Sequence, residues 1–351
     1  MQNRVMFLKI AEEIKKVDKR AWIALALCLS LIIGIVIFDT VKKNREFQTT
    51  SVAMGTIINI KLYGPDGEET AQLIAENINE TERALLSRNE ENSDIDRINN
   101  NPDTSVSVSY ETADIISKSL EVSKNCGGVF DITIGEITKL WNFDGENQSV
   151  PAKEKIDEAL SLVGYPYVEL SDTSVKIKEG QSLDLGAVGK GAACDRIKTL
   201  LESTKTDSAI ISVGGSLLLY GDREFTVGIA NPQNSQTTLG TLELSDAFVS
   251  TSGNYEKFFE QDGETYHHIL DATTGYPADS RLSSVTVVCD SGLLSDALST
   301  ACYILGYQES ISLLAKYNAQ AVFVFKDKTI RTTDGLRECF TLTDESFVVG
   351  K

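Results

Sequence analysis

Between residues 51 and 64 apolar and polar side chains alternate, SVAMGTIINIKLYG, until a Gly-Pro-Asp-Gly sequence breaks the pattern. A period of two predicts a half-buried strand ending at a turn. Over 68–86 apolar residues recur every three or four positions, the spacing of an amphipathic helix. The polar stretch SRNEENSDIDRINN follows, and Ser93 within it is placed to cap a short helix. Further helices are predicted over 111–125, near 153–162 and from about 188 to 203, with strands around 167–178. From 208 onward short apolar runs of strand length take over: SAIISV, SLLLYG, FTVGIA, TLELS and AFVSTS. Helices at 293–305 and 308–317 and the strand AQAVFVFK close the body. Strands in runs beside grouped helices predict an α+β body, not the strict alternation of a doubly wound sheet.

One segment follows neither period. Residues 21–38, AWIALALCLSLIIGIVIF, are uncharged and mostly apolar on every face. As a helix they would span about 27 Å, close to the hydrocarbon thickness of a bilayer. Six basic residues precede the run (Arg4, Lys9, Lys15, Lys16, Lys19, Arg20), while Lys42, Lys43 and Arg45 follow it. No A-x-A cleavage site follows, and Leu27 before Cys28 is too large for a lipoprotein signal. An uncleaved single-pass anchor in the cell membrane is therefore expected, with the basic N-terminus in the cytoplasm. The expected organisation is a cytoplasmic tail over 1–20, a transmembrane anchor over 21–38, a tether over 39–50 and one extracytoplasmic domain over 51–351.

The 351-residue chain has a net charge of −18, which makes binding of nucleic acid over a broad surface unfavourable. A small anion can still bind where a local cation or a metal offsets that field. The six cysteines are scattered singly with no C-x-x-C pair, so neither a disulfide framework nor a structural zinc site is expected.

Several stretches carry possible chemistry. In SLDLGAVGKGAACDR, Lys190 stands among small residues just as a helix begins. Glycines there let a ligand approach the backbone, the helix start favours anions, and a lysine supplies a point charge suited to phosphate. The Walker A spacing is absent, and a plain loop–helix junction with a solvated lysine is the ordinary alternative. Gly214–Gly215 follows a predicted strand and has a simple β-turn as its plain explanation. Asp296 and Thr300 are four apart and share a helix face, a pairing suited to a hard cation such as Mg²⁺; a carboxylate serving the helix dipole is the plainer alternative. The only two histidines, His267 and His268, are adjacent in YHHILDATTGYP, near Asp271; one is expected to face inward and the other outward. They form a candidate acid–base locus. Phe130 and Asp131 lie in VFDITIG, where Phe130 can equally be core.

Seven motifs in order resemble those of the ApbE-type FAD:protein FMN transferases: MGT (54–56), GGVFDITIGEITKLWNF, DLGAVGKGAACDR, SVGG, STSGNYEKFF, HHILDATTGYP and SDALSTACYILG. The likeness runs from about Val52 to Arg337. It implies a T-fold-like α+β body that binds FAD, cleaves its pyrophosphate, and attaches FMN to a threonine of a partner protein with release of AMP. The resemblance places Mg²⁺ on Ala187 (by its carbonyl), Asp296 and Thr300, and FAD contacts on Met54, Val129, Phe130, Asp131, Asp184, Lys190 and Ile269. His268 is the candidate to accept the acceptor's hydroxyl proton, with Asp131 or Asp271 as competitors. The expected partner is an extracytoplasmic redox protein carrying a Ser/Thr-Gly-Ala-Thr-type site; this chain has no such stretch. Water as acceptor, giving an FAD pyrophosphatase, and a non-enzymatic flavin carrier are the competing functions. The chain departs from the family pattern at Asn89, often aromatic in the family, at Ala272 and Thr273, usually proline and a basic residue, and at Ser299, sometimes a second carboxylate.

Overall fold

The computed structural model describes residues 45–350 together with Ser30, Leu31 and Gly34. The tail over 1–20 and nearly all of the expected anchor lie outside the described residues; among those described, no helix is long and apolar enough to cross a membrane.

The alternating run at the start of the domain is two strands, not one. β1 (Glu46–Ala53) and β2 (Thr56–Tyr63) form an antiparallel hairpin in which Ala53 faces Thr56. The two turn residues, Met54 and Gly55, have φ of 52° and 66°. Such a turn normally announces itself with Asn-Gly or Asp-Gly. Met-Gly does not, so the alternation reads straight through it. β1 also begins at Glu46, which takes the last five residues of the expected tether into the sheet.

β3 (Ser208–Val213), β4 (Ser216–Tyr220), β5 (Phe225–Asn231), β6 (Asn234–Leu244), β7 (Ala247–Gly253), β8 (Leu282–Cys289), β9 (Gln320–Phe325), β10 (Thr329–Thr332), β11 (Phe340–Leu342) and β12 (Val348–Val349) complete the main sheet and one of the three-stranded sheets. The main sheet has nine strands in the order β1-β2-β3-β4-β7-β8-β9-β10-β12, antiparallel except for the last pair. The strands β11-β6-β5 form a three-stranded sheet that covers its back. There Leu219, Val249, Val288, Val322 and Val324 meet Phe225, Val227 and Leu242. The front face is helical, as the period of 3.6 in the sequence requires.

On that front face, α1 (Gly67–Glu80) places Ala71, Ile74 and Ile78 against Ile58, Ile60 and Leu62 of β2. A π-helical turn, Thr81–Leu86, extends it. α2 (Asp94–Asn99) starts at the predicted cap, Ser93, whose hydroxyl accepts from the Asp96 amide at 2.9 Å. α3 (Tyr110–Asn125), α4 (Gly135–Trp141) and α5 (Lys153–Leu160) follow. α6 (Gly189–Glu202) and α7 (Gly292–Leu305) lie at the centre, and α8 (Tyr307–Lys316) closes the layer.

α6 and α7 approach so closely that a Cβ on Gly191 would fall on the Gly292 carbonyl, and one on Gly292 on the Gly191 carbonyl. Glycine at both positions is therefore a packing requirement, not a turn signal. Asp195 locks the crossing. Its carboxylate accepts from the amides of Gly292 (2.7 Å) and Leu293 (2.8 Å) and from the Ser291 hydroxyl (3.2 Å) at the start of α7. Burial pushes this carboxyl up against those three bonds. Asp195→Ala is expected to cost about 2–4 kcal/mol in chemical unfolding, since it strands two amides at a buried helix start.

Candidate active site at the crossing of two helices

The crossing brings together segments far apart in sequence. Asp296, on the α7 face turned toward α6, is 5% exposed. Its Oδ2 accepts from the Gly191 amide at 2.7 Å, and its Oδ1 from the Ser216 hydroxyl of β4 at 2.7 Å. One turn further along α7, Thr300 Oγ1 lies 3.2 Å from the Ser252 hydroxyl of β7, which also meets Ser299 at 2.8 Å. Because the Gly191 amide donates to Asp296, it does not close the helical bond back to Ala187. Among the described residues the Ala187 carbonyl accepts no hydrogen bond. A free carbonyl in the turn before α6, a carboxylate with lone pairs to spare and a hydroxyl are an all-oxygen donor set. Their chemistry fits Mg²⁺. No group of three or more His, Cys, Asp or Glu that could hold a metal exists among the described residues, so a cation here depends on the carbonyl and hydroxyl.

Lys190 sits in the first turn of α6, half-buried. Its stem passes the second glycine motif, where a Cβ on Gly214 would lie 3.4 Å from Lys190 Cδ and 2.9 Å from Thr56 Oγ1. Among the described residues its ammonium makes no hydrogen bond or ion pair, although its charge is felt at Glu256 and His268. A half-buried ammonium without a protein partner is unusual in a folded chain and points to an anion. The SVGG turn is thus a wall along the lysine and not only a link between strands.

His268 exposes part of its surface, yet enough protein surrounds it to desolvate the ring, as on the wall of a cleft. Its pKa falls to about 4, chiefly through burial and then through the positive charges of Lys190 and Lys257. Nδ1 lies 3.2 Å from the Lys257 carbonyl, which can only accept. The proton therefore resides on Nδ1, leaving Nε2 as the basic nitrogen. His267 is its opposite: 7% exposed, facing the core, with Nε2 3.2 Å from the Ala278 carbonyl and its ring edge-on to Tyr303. The inward and outward assignment expected for the pair holds.

The two carboxylate competitors differ: Asp131 is engaged through both oxygens, Asp271 through Oδ1 alone among the described residues. Asp131 is 5% exposed and accepts from the Thr133 amide (2.8 Å) and hydroxyl (2.7 Å) and from the Tyr165 amide (2.6 Å). Burial raises its pKa while those bonds oppose the rise. Asp271 holds its own turn through the Thr273 amide at 2.8 Å and hydroxyl at 2.6 Å. Asp184 is paired to Arg88 at 2.6 Å and accepts from Thr138 and the Gly186 amide. Phe130 and Ile269 are buried, and Val129 is half-buried. The Val129 carbonyl accepts from the Ala272 amide at 3.0 Å, which joins VFDITIG to the histidine loop. Met54 lies over α6, its Cε 3.4 Å from where a Cβ on Gly189 would be.

The sequence alone did not single out Glu256, Glu82, Arg88, Ser216 or Ser252. Glu256, inside the motif STSGNYEKFF, places Oε1 3.3 Å from where a Cβ on Gly215 would be. It is open to solvent on one side and crowded on the other; burial raises its pKa, Lys190 pulls it down, and Asp296 pushes it up. The motif was the available signal, but nothing local says that its glutamate lies within the field of the lysine. A cavity of about 610 Å³ lined by Arg45, Asp66, Glu68 and Gln72 lies at the open end of the β1–β2 hairpin, away from the Met54–Gly55 turn, and has no part in this arrangement.

Fold and site together define an α+β protein in which a lysine that makes no ion pair among the described residues stands beside an oxygen donor set at a helix start. The ApbE family model matches residues 54–324, and the chain belongs to that family. It is 32% identical to the FAD:protein FMN transferase of Treponema pallidum over 87% of this chain and 91% of that protein. It is 33% identical to the FAD:protein FMN transferase of Klebsiella pneumoniae over 87% of this chain and 98% of that one. Among solved structures, the ApbE protein of Thermotoga maritima superposes with a TM-score of 0.79 at 28% identity, covering 84% of this chain and 99% of the other. The Pseudomonas stutzeri flavinyl transferase ApbE, in its apo form, gives 0.75 at 25% identity, with 84% and 97% covered.

Proposed function

We propose that this protein is a Mg²⁺-dependent FAD:protein FMN transferase that modifies a threonine or serine of an extracytoplasmic redox protein. The observation that carries the reading is Lys190: a half-buried ammonium with no hydrogen-bond or ion-pair partner among the described residues, at a glycine-lined helix start next to Gly191, whose amide meets Asp296. The activity by which the two relatives are named, FAD:protein FMN transferase, supports it. Ala187, Asp296 and Thr300 would hold Mg²⁺, which supplies positive charge to offset the FAD pyrophosphate in so acidic a protein. Lys190 binds a phosphate oxygen and orients the pyrophosphate. The acceptor's hydroxyl oxygen bonds to the phosphorus of the FMN half, the bond from that phosphorus to the bridging oxygen breaks, and AMP leaves with that oxygen. His268 Nε2 takes the hydroxyl proton, a role its neutral imidazole suits at pH 7. The apolar run 21–38 with its basic flanks supports anchoring in the cell membrane, with the catalytic domain outside.

The test is to incubate the protein with FAD, Mg²⁺ and an acceptor protein bearing a Ser/Thr-Gly-Ala-Thr site. Covalently yellow acceptor with one AMP per flavin supports transfer. Free FMN plus AMP would mean hydrolysis, and intact FAD a carrier. Lys190→Met is expected to weaken FAD binding by about 10- to 100-fold, the worth of a hydrogen bond to a charged group. Unchanged affinity would return Lys190 to a solvated surface lysine.

A further inference from the structure

Met54 holds a backbone conformation that ordinary side chains avoid. At φ 52° its backbone is strained, and the following Gly55 shares the positive φ without that strain. Something must keep Met54 there. Its amide donates to Glu82 Oε2 at 2.7 Å, a charge-assisted bond across 28 residues of sequence. Glu82 is the second residue of the π-helical turn Thr81–Leu86, the kind of irregularity that helices carry at functional sites. The same turn supplies Leu86. A side chain on Gly189 would meet Leu86 Cδ1 at 3.3 Å and Met54 Cε at 3.4 Å, one residue before Lys190. The π turn therefore sets both apolar groups that roof the start of α6, one directly and one through the hairpin.

We propose that Glu82 is a positioning residue for FAD: it latches the strained Met54 turn so that the methionine side chain stands ready beside Lys190 before the nucleotide arrives. The inference rests on the reading of this cleft as the FAD site. A latch of this kind acts on binding. Without it, Met54 relaxes to an ordinary backbone conformation and must be re-ordered by the ligand.

FAD affinity of the full chain, measured by equilibrium titration in the presence of Mg²⁺ and without acceptor, tests this. Glu82→Ala is expected to raise the Kd about tenfold. Glu82→Gln keeps an acceptor oxygen in place and is expected to stay within about threefold of the parent. Glu82→Asp, which keeps the charge but is one methylene short, is expected to behave like the alanine variant and serves in its place if that variant does not fold. In a Met54→Gly background, where positive φ carries no strain, Glu82→Ala is expected to add nothing further. A parent-like Kd for Glu82→Ala, a glutamine variant as weak as the alanine, or the same tenfold loss in the glycine background would each overturn the latch. If the parent binds no FAD, the FAD site itself falls, a result distinct from parent binding that Glu82 does not affect.

Discussion

Asp296→Asn is expected to lower the rate of FMN transfer by about a thousandfold at saturating FAD, the scale on which electrostatic stabilisation of a reacting phosphorus centre operates. The reason lies in what the carboxylate faces. It is buried at the helix crossing, and among the described residues its oxygens accept only from the Gly191 amide and the Ser216 hydroxyl, which leaves its charge for a ligand. Alanine is the poorer test, because it strands both donors inside the protein and confounds activity with stability. Asparagine keeps the shape: its Oδ1 can accept from the Gly191 amide while its Nδ2 donates to the Ser216 hydroxyl oxygen, so stability is expected to change by less than about 1 kcal/mol. AMP release measured across a range of Mg²⁺ concentrations is the readout. A variant as active as the parent would remove the proposed metal site and leave Lys190 as the only electrostatic contributor.

The second large effect belongs to His268. His268→Gln is expected to lower transfer by about 10²- to 10⁴-fold, the usual share of a general base. FAD affinity should stay within threefold of the parent. The pH profile carries the sharper information. A base must be neutral to work, so activity is lost as the pH falls through its folded pKa, here about 4 and not the ordinary 6.5. The acidic limb of kcat/KM is therefore expected near pH 4, with a flat rate from pH 8 down to about pH 5. The groups that set this are the burial of the ring and the charges of Lys190 and Lys257, with His267 contributing least. Lys257→Met should move the limb upward. A limb at 6.5 in the parent would show that His268 is solvated and is not held neutral by the cleft.

The helices and most strands were legible because they are local. Ile74 and Ile78 of α1, Ser93 as a cap, and the short apolar runs of β3, β4 and β7 declare their elements within a window of a few residues. The β1–β2 turn was not legible. Met54 and Gly55 both take positive φ there, and the Met54 amide bonds to a carboxylate 28 residues away, neither of which the residue type Met announces. Asp131 shows the converse: its residue type suggests acid–base chemistry, but Thr133 and Tyr165 occupy both of its oxygens. No spacing rule reveals that, since Tyr165 is 34 positions distant.

By itself, then, the sequence determined the α+β class, the helix faces, the order of the motifs and the distribution of charge, because each depends on periodicity or on composition. Only the tertiary structure decided that Asp296 meets Gly191, that Lys190 makes no hydrogen bond or ion pair among the described residues and that Glu82 accepts from the Met54 amide. Those relations depend on how closely α6 and α7 can approach, which the paired glycines Gly191 and Gly292 permit only after both helices have packed on one sheet. Packing over a separation of 105 residues is a property of the whole folded chain, and no local window contains it.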